Sequence, residues 1–145
     1  MDVWELIARE QIRDTIARYN HAGDAGHFDE MVDQFTLDGV LELRDLDQQF
    51  HGRAELREYF ASVGARFAAR ERRSGPLRHF VTNVQINVTP PSEATSVAYF
   101  LVITDIGLDH WGRYRDQLVP VDDRWLLGRR SVRTDGFSPG SLFAR

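Results

Sequence analysis

The first half of the chain carries the hydrophobic spacing of amphipathic helices. Ile12, Ile16 and Tyr19 recur at i, i+4 and i+7 with charged residues between them, which predicts a helix over about residues 3–22. We expect Gly23 to end this helix. Two further helices are predicted from apolar residues that fall on one face. These residues are Phe28, Met31, Val32 and Phe35 in the second helix, and Leu56, Tyr59, Phe60 and Val63 in the third.

The second half of the chain has the pattern of long β-strands. The predicted strands cover about residues 77–88, 94–106, 110–121 and 124–134, and a short strand at 40–43 follows a turn at Leu37-Asp38-Gly39. Helices followed by a meander of strands indicate one α+β domain over residues 1–145, because no linker or repeat divides the chain. A sheet curled around the helices would form a conical barrel, mostly antiparallel, that encloses an apolar pocket.

Two polar residues interrupt the apolar pattern of the first long strand. Side chains alternate between the faces of a strand, so His79, Val81 and Asn83 are predicted to share one face. Burying a His and an Asn costs free energy unless each has a partner. Asp24, just after the first helix, is the candidate partner for His79. A carboxylate that holds one imidazole nitrogen leaves the other free to act as a general base, with Tyr19 as a nearby proton donor.

Each of these residues also has a structural interpretation. Asp24 could cap the second helix, and His79 would then be a buried structural histidine. Tyr19 could be an ordinary core residue. Asn83 could bind a substrate carbonyl or hold His79, but it could equally satisfy backbone groups at a bulge. Arg130 could stabilise developing negative charge, or it could form an ion pair with Asp116 or Asp135.

Composition excludes several other classes of function. The formal net charge of −4 argues against a general nucleic-acid binder, and the chain has no cysteine. All 18 basic residues are Arg, so no lysine Schiff base can form. There is no apolar run of the roughly 18 residues that span a membrane, and the N-terminus lacks the basic region of a signal peptide, so we expect a cytoplasmic protein.

The remaining histidines and the basic run are expected to be structural. The histidines near Asp24 lack the spacing of a metal site, so no metal is expected. The basic run near the end of the third helix is expected to compensate the helix dipole. The histidines are His21, His27, His51 and His110, and the basic run comprises Arg66, Arg70, Arg72 and Arg73.

Four local patterns together resemble the SnoaL-like branch of the nuclear transport factor 2-like superfamily. They are Tyr19-Asn20-His21-Ala22-Gly23-Asp24, Phe35-Thr36-Leu37-Asp38-Gly39, Arg78-His79-Phe80-Val81-Thr82-Asn83, and Gly112-Arg113-Tyr114-Arg115-Asp116 followed by Arg124-Trp125 and Arg129-Arg130. The resemblance runs from about residue 5 to 135. It implies a conical α+β barrel with an internal pocket, often in a homodimer or homotrimer.

The resemblance also implies roles for individual residues. In the dehydratase and dehydrochlorinase members, the residue at the Asp24 position orients a His at the His79 position, which takes a proton from carbon without a cofactor. A Tyr at the Tyr19 position assists in the bile-acid dehydratase, and an Arg at the Arg130 position lies near the leaving group in the dehydrochlorinase. The bile-acid enzyme has a further pocket acid where this chain has Val102.

The sequence therefore favours a lyase or isomerase, most simply a dehydratase, that acts on a small apolar oxygenated molecule such as a steroid, terpenoid or polyketide. Two alternatives stay open: a non-catalytic module that binds a hydrophobic ligand, and a structural subunit like the β-subunits of ring-hydroxylating dioxygenases. Neither nucleic acid nor a membrane is an expected partner. The expected substrate contacts are Asn83, Phe60, Val63, Phe67, Leu101 and Ile103.

Overall fold

A computed structural model describes residues 1–69 and 75–144. Three helices precede most of the strands: α1 (Val3–Ala25), α2 (Phe28–Val32) and α3 (Gly52–Ala68). Two strands lie between α2 and α3, namely β1 (Phe35–Leu43) and β2 (Gln48–His51). Four long strands complete the chain: β3 (Arg78–Thr89), β4 (Glu93–Thr104), β5 (Gly107–Val121) and β6 (Arg124–Phe137). The predicted α+β class is therefore confirmed.

All six strands belong to one sheet in the order β2-β1-β6-β5-β4-β3. Every neighbouring pair is antiparallel except β1 with β6, which is parallel. The sheet is unclosed, because β2 and β3 form its two free edges. It curves around α1 and α3, so one face of each strand lies against the helices, and the other, which we call the outer face, points away from them.

The apolar stripe of α1 packs into this curve as the pattern predicts. Ile12, Ile16 and Tyr19 are buried together with Phe35, Leu56 and Leu127. Strand β4 shows the clearest alternation: Ala94, Ser96, Ala98, Phe100, Val102 and Thr104 are all buried and the residues between them are not. The core therefore forms where the helical stripe and the inner face of the sheet meet.

Helix α1 is longer than the sequence pattern indicates. Gly23 lies inside the helix, and the end comes at Gly26, whose backbone has φ 73° in the left-handed region that suits glycine. The prediction that Gly23 ends the helix is therefore wrong. As a result, Asp24 lies in the last turn of α1 and not in a loop.

The region between α2 and α3 also differs from its prediction. Strand β1 begins at Phe35, and the expected turn at Leu37-Asp38-Gly39 is instead an irregular part of that strand, where its pairing with β6 shifts. The basic run predicted at the end of α3 is described only at Arg66, which lies in the last helical turn. Arg70, Arg72 and Arg73 lie outside the described residues. No helix in the described part of the chain is long and apolar enough to cross a membrane.

Candidate functional site

The end of α1 and the start of β3 bring Asp24 and His79 into direct contact. One carboxylate oxygen, Asp24 Oδ1, lies 2.6 Å from His79 Nδ1. The other, Oδ2, accepts a hydrogen bond of 2.9 Å from the backbone N–H of His79. The two bonds fix both the position of the strand and the rotation of the imidazole. With Nδ1 held by Asp24, the free ring nitrogen of His79 is Nε2.

The capping interpretation of Asp24 is wrong. The N-cap residue of α2 is His27, and no side chain caps that helix. A carboxylate in the last turn of α1 also faces the negative end of the helix dipole, which typically costs about 0.3–1 kcal/mol. Asp24 therefore does not serve the stability of either helix, and its two hydrogen bonds to His79 are its visible role.

The pair is shielded on the protein side and open on the other. The Asp24 side chain is 10% exposed and that of His79 is 23% exposed. Cross-strand pairing sets His79 opposite the fully buried Val102, and the Phe100 ring lies 6.4 Å from the imidazole. The His79 imidazole is therefore bordered by apolar side chains and keeps part of its surface exposed.

A second His–Asp pair lies on β5, close to the first. His110 Nδ1 is 2.9 Å from Asp109 Oδ1, and Thr104 donates a hydrogen bond of 3.1 Å to the other oxygen of Asp109. Burial lowers the pKa of the His110 imidazole despite the opposing effect of Asp109, and the nearby His79 lowers it further. His110 is therefore mostly neutral near pH 7 and able to accept a proton.

A bulge explains how two consecutive residues can both be buried. The pairing of β4 with β5 shifts by one residue at this point, so that His110 pairs with Val102 and Leu108 pairs with Ile103. The extra residue is Asp109, which the bulge turns inward beside its neighbour. The sequence interpretation of His110 as an ordinary structural histidine missed this pair. The signal that could have found it is Asp109, the acidic residue that directly precedes His110 between the predicted strands at 94–106 and 110–121.

The C-terminal segment covers the second pair. Ser141 Oγ donates a hydrogen bond of 2.5 Å to Asp109 Oδ1, and the Phe143 ring lies 4.6 Å from the His110 ring. Phe143 also stacks on Phe67 of α3, with ring centroids 6.1 Å apart. Phe67 is one of the predicted substrate contacts, and together with Phe143 it forms an aromatic layer beside His110.

Tyr19 and Arg130 meet each other in the core and not at the surface of the site. The Arg130 guanidinium lies between two rings, 4.3 Å from the centroid of Tyr19 and 4.0 Å from that of Tyr114. It donates two hydrogen bonds of 2.8 Å to the oxygens of Asp116. Both members of this ion pair are fully buried. The sequence offers Asp116 and Asp135 as partners for Arg130. Arg130 pairs with Asp116, while Asp135 pairs with Arg113.

The protonation states in this cluster follow from burial and charge. Burial opposes the charge on Arg130, but the Asp116 carboxylate outweighs it and raises the pKa of Arg130. Burial raises the pKa of Tyr19 to about 12 and also raises that of Tyr114. Both phenols therefore stay protonated at neutral pH. The cluster connects to His79 through Phe100, whose ring stacks on Tyr114 at 4.7 Å and is tilted relative to the His79 ring at 6.4 Å.

Three predicted substrate contacts lie elsewhere than expected. Asn83 has φ 54° at a shift in the β3–β4 pairing, and its exposed side chain accepts a hydrogen bond from Thr82, so it does not share the face of His79. Leu101 and Ile103 alternate with the buried Phe100 and Val102 and therefore lie on the outer face. A single bulge and the parity of β4 explain these errors. Of the remaining two, Phe60 is buried beside Tyr19 and Val63 is half-buried on α3.

A broad groove of about 610 Å³ lies elsewhere, between α2 and α3. Its walls carry the ion pairs of Arg53 with Asp33 and Arg57 with Asp29, so its charges compensate each other. Neither Asp24 nor His79 lines it. Among the described residues, no group of three or more His, Asp or Glu side chains is arranged to hold a metal ion.

Comparisons with known proteins give a consistent likeness. The sequence profile of the SnoaL-like domain family matches residues 4–131. No curated protein matches the sequence. A candidate scytalone dehydratase from Novosphingobium aromaticivorans has a TM-score of 0.80 at 20% identity, covering 97% of this chain and 91% of that one.

Two further solved structures extend this likeness. An NTF2-like protein with a cystatin-like fold, also from N. aromaticivorans, has a TM-score of 0.79 at 21% identity, covering 96% of this chain and 89% of that one. A protein from Catenulispora acidiphila, in complex with S-DNPA, has a TM-score of 0.73 at 28% identity, covering 88% and 92%. The two N. aromaticivorans structures show the shared fold.

Proposed function

Because the chain belongs to the SnoaL-like domain family, we propose that it is a cofactor-independent lyase or isomerase in which His79 is the general base. The observation that carries this proposal is the pair of hydrogen bonds between Asp24 and His79. An imidazole has an ordinary pKa of about 6.5, close to the working pH that general-base catalysis favours. Asp24 holds one imidazole nitrogen and the backbone N–H of His79, which fixes the ring and leaves its second nitrogen for proton transfer.

Dehydration of a β-hydroxy ketone is the simplest reaction for these groups. His79 Nε2 takes a proton from the carbon next to the carbonyl, and Asp24 stabilises the imidazolium that forms. The electron pair of the broken C–H bond is first held in an enolate, which can take a proton back from the imidazolium at the same carbon, and this pair forms the new double bond when the hydroxyl leaves. The imidazolium returns its proton to the departing oxygen, which releases water and restores neutral His79. Isomerisation of a double bond uses the same first step and returns the proton to a different carbon.

His110 fits a role as a second proton carrier beside His79. Its ring lies 6.1 Å from the Phe100 ring, which is itself 6.4 Å from His79, so one aromatic side chain borders both imidazoles. The lowered pKa of His110 keeps it neutral, and Asp109 fixes its ring as Asp24 fixes that of His79. The aromatic rings of Phe67, Phe100 and Phe143 around the pair support an apolar, oxygenated substrate of the steroid, terpenoid or polyketide type.

In this proposal, Tyr19 and Arg130 position other residues of the site and do not contact the substrate. Their mutual contact and the bonds of Arg130 to Asp116 are more consistent with positioning Tyr114 and Phe100 than with touching a leaving group. The buried position of Arg130 favours this role, because its charge is already used by Asp116.

Deuterium uptake tests the proposal directly. The purified protein would be incubated in D2O with β-hydroxy ketones built on decalin and tetralone skeletons, and the products followed by NMR and mass spectrometry. We expect deuterium at the carbon next to the carbonyl and loss of the hydroxyl, both dependent on the protein. Saturable binding of these compounds without deuterium uptake or product would favour the ligand-binding module instead. If the compounds neither bind nor take up deuterium, the result would favour a subunit role.

The outer face of β3 and β4 supports the further proposal of a homodimer or homotrimer. Phe80 is 51% exposed and Tyr99 is 56% exposed, and Val97 lies beside them. Exposed apolar surface of this kind is typical of an interface. Light scattering should give two or three times the chain mass of 16.7 kDa, and Tyr99→Glu should shift the mass toward one chain. A wild-type protein that remains a single chain at high concentration would contradict this proposal.

A further inference from the structure

The outer face of β5 and β6 carries a small concavity that the proposed chemistry does not use. Its volume is about 30 Å³, and it is lined by Arg44, Arg113, Arg115, Ser131 and Arg133. We call it the arginine concavity. The antiparallel pairing sets Arg113 opposite Arg133 and Arg115 opposite Ser131, so three guanidinium groups come from two neighbouring strands. Four arginines thus meet at one place on a chain whose formal net charge is −4.

The positive charge of the arginine concavity is only partly compensated. Among the described residues, Arg113 is the one lining arginine that pairs with a carboxylate, at 3.1 Å from Asp135. Glu42 on β1 pairs with Arg129 at 3.1 Å. Against the opposing effect of desolvation, Ser131, Arg129 and Arg44 together lower the pKa of its carboxyl, so this acid compensates part of the charge of Arg44. Like charges directly opposite each other on adjacent strands destabilise a sheet. The facing arginines therefore carry a cost that a bound anion would remove.

Two buried polar atoms at the concavity also have no partner. Ser131 is 8% exposed, and its hydroxyl makes no hydrogen bond of ordinary geometry, although it lies near enough to the Glu42 carboxyl to lower the pKa of that group against the opposing effect of desolvation. The Nε–H of Arg113 is buried and unbonded. Leaving such donors buried and unsatisfied destabilises the folded protein. Both atoms belong to residues that line the concavity, so a single acceptor placed there could satisfy them together.

We propose that the arginine concavity binds a small tetrahedral oxyanion, either phosphate or sulfate, free or as the phosphate group of a small molecule. Guanidinium groups bind such ions through paired N–H donors, and a hydroxyl adds a further donor. A volume of about 30 Å³ admits about two water molecules. Part of the oxyanion would therefore lie in the concavity while its remaining oxygens face solvent and the flanking arginines.

Calorimetric titration with inorganic phosphate, against sodium chloride at equal ionic strength, tests this site. We expect one phosphate per chain, and dissociation constants at least about tenfold weaker for Arg115→Gln and for Arg133→Gln. Ser131→Ala removes the buried hydroxyl without changing charge and should weaken binding severalfold. Arg78→Gln is the matched control, because it removes one exposed arginine from the edge strand β3 and should leave binding unchanged. A parallel titration with glycerol 3-phosphate shows whether an esterified phosphate is also accepted.

Two results would overturn the proposal. The first is the absence of saturable binding by phosphate, sulfate and glycerol 3-phosphate. This result would also be obtained if the arginines form a contact between subunits, in which case Arg115→Gln should convert an oligomer to single chains. The arginines would then pair with carboxylates of a second copy. The second is equal weakening by Arg78→Gln and Arg115→Gln, which would show that the general charge of the face attracts anions and no built site exists. None of these readouts depends on the activity of His79, so the two proposals can fail separately.

Discussion

Replacing His79 with Asn should lower the rate of deuterium uptake and of product formation by about 10²–10⁴-fold, the usual contribution of a general base. Asn has a similar polar outline and can still contact Asp24, but it cannot accept a proton from carbon at neutral pH. The fold should be retained, because the His79 side chain is 23% exposed at the margin of the core. Rates would be measured by NMR in D2O, with circular dichroism and thermal unfolding to verify folding.

Two companion variants sharpen this prediction. Asp24→Asn should also lower the rate, since an amide does not stabilise the imidazolium and can favour the wrong tautomer. His51→Asn, at an exposed histidine outside the site, should retain the wild-type rate and serves as the control. A His79→Asn protein that is folded and turns over at the wild-type rate would rule out His79 as the base. If only His110→Asn then lost activity, the second pair would take over that role.

Replacing Asp116 with Asn should lower the free energy of unfolding by about 3–5 kcal/mol, because the charge of Arg130 would be left buried without its counter-ion. Typical domains are stable by only about 5–15 kcal/mol, so the loss should be evident as a fall in Tm of roughly 10 °C or more. Ser96, which donates a hydrogen bond of 3.0 Å to Asp116, would also lose its charged acceptor. Urea unfolding followed by tryptophan fluorescence would measure the change.

The exposed ion pair of Arg113 with Asp135 provides the matched control. Its side chains are 37% and 35% exposed, so Asp135→Asn should cost less than about 1 kcal/mol. The double variant Asp116→Leu with Arg130→Met should recover most of the stability lost in Asp116→Asn, since it removes both charges and keeps the volume apolar. An Asp116→Asn protein within about 1 kcal/mol of wild type would mean that water reaches Arg130 and that the pair is not a buried one.

Local periodicity predicted the elements well where one face of an element is buried along its whole length. The stripe of α1 and the alternation of β4 follow the period of their structures, and both are present as expected. The partnership of Asp24 with His79 could also be anticipated, because a histidine on an inner strand face needs a partner. Their closeness was an inference from chemistry, since 55 residues separate them in sequence.

The errors arise at positions where the backbone departs from its regular period. The bulge at Asn83 changes which face a side chain takes, and the bulge at Asp109 buries two consecutive residues. Neither can be read from alternation, because one extra residue reverses the parity of everything after it. The choice between the two faces of β4 needs the sheet order as well. For that reason Leu101 and Ile103 were placed on the wrong side while Phe100 was missed.

The 23 residues of α1 have a further consequence, as a measure of distance and angle. Each residue advances the helix by about 1.5 Å and turns it by about 100°, so the five-residue interval from Tyr19 to Asp24 sets their relative direction. It directs Tyr19 toward the Arg130 guanidinium and Asp24 toward His79 at the start of β3. One residue inserted between them would swing the carboxylate away from His79 while leaving the upstream stripe in place. The helix thus sets the distance and the direction between Tyr19 and Asp24. An insertion or deletion in this segment should therefore be as harmful as a change in its side chains.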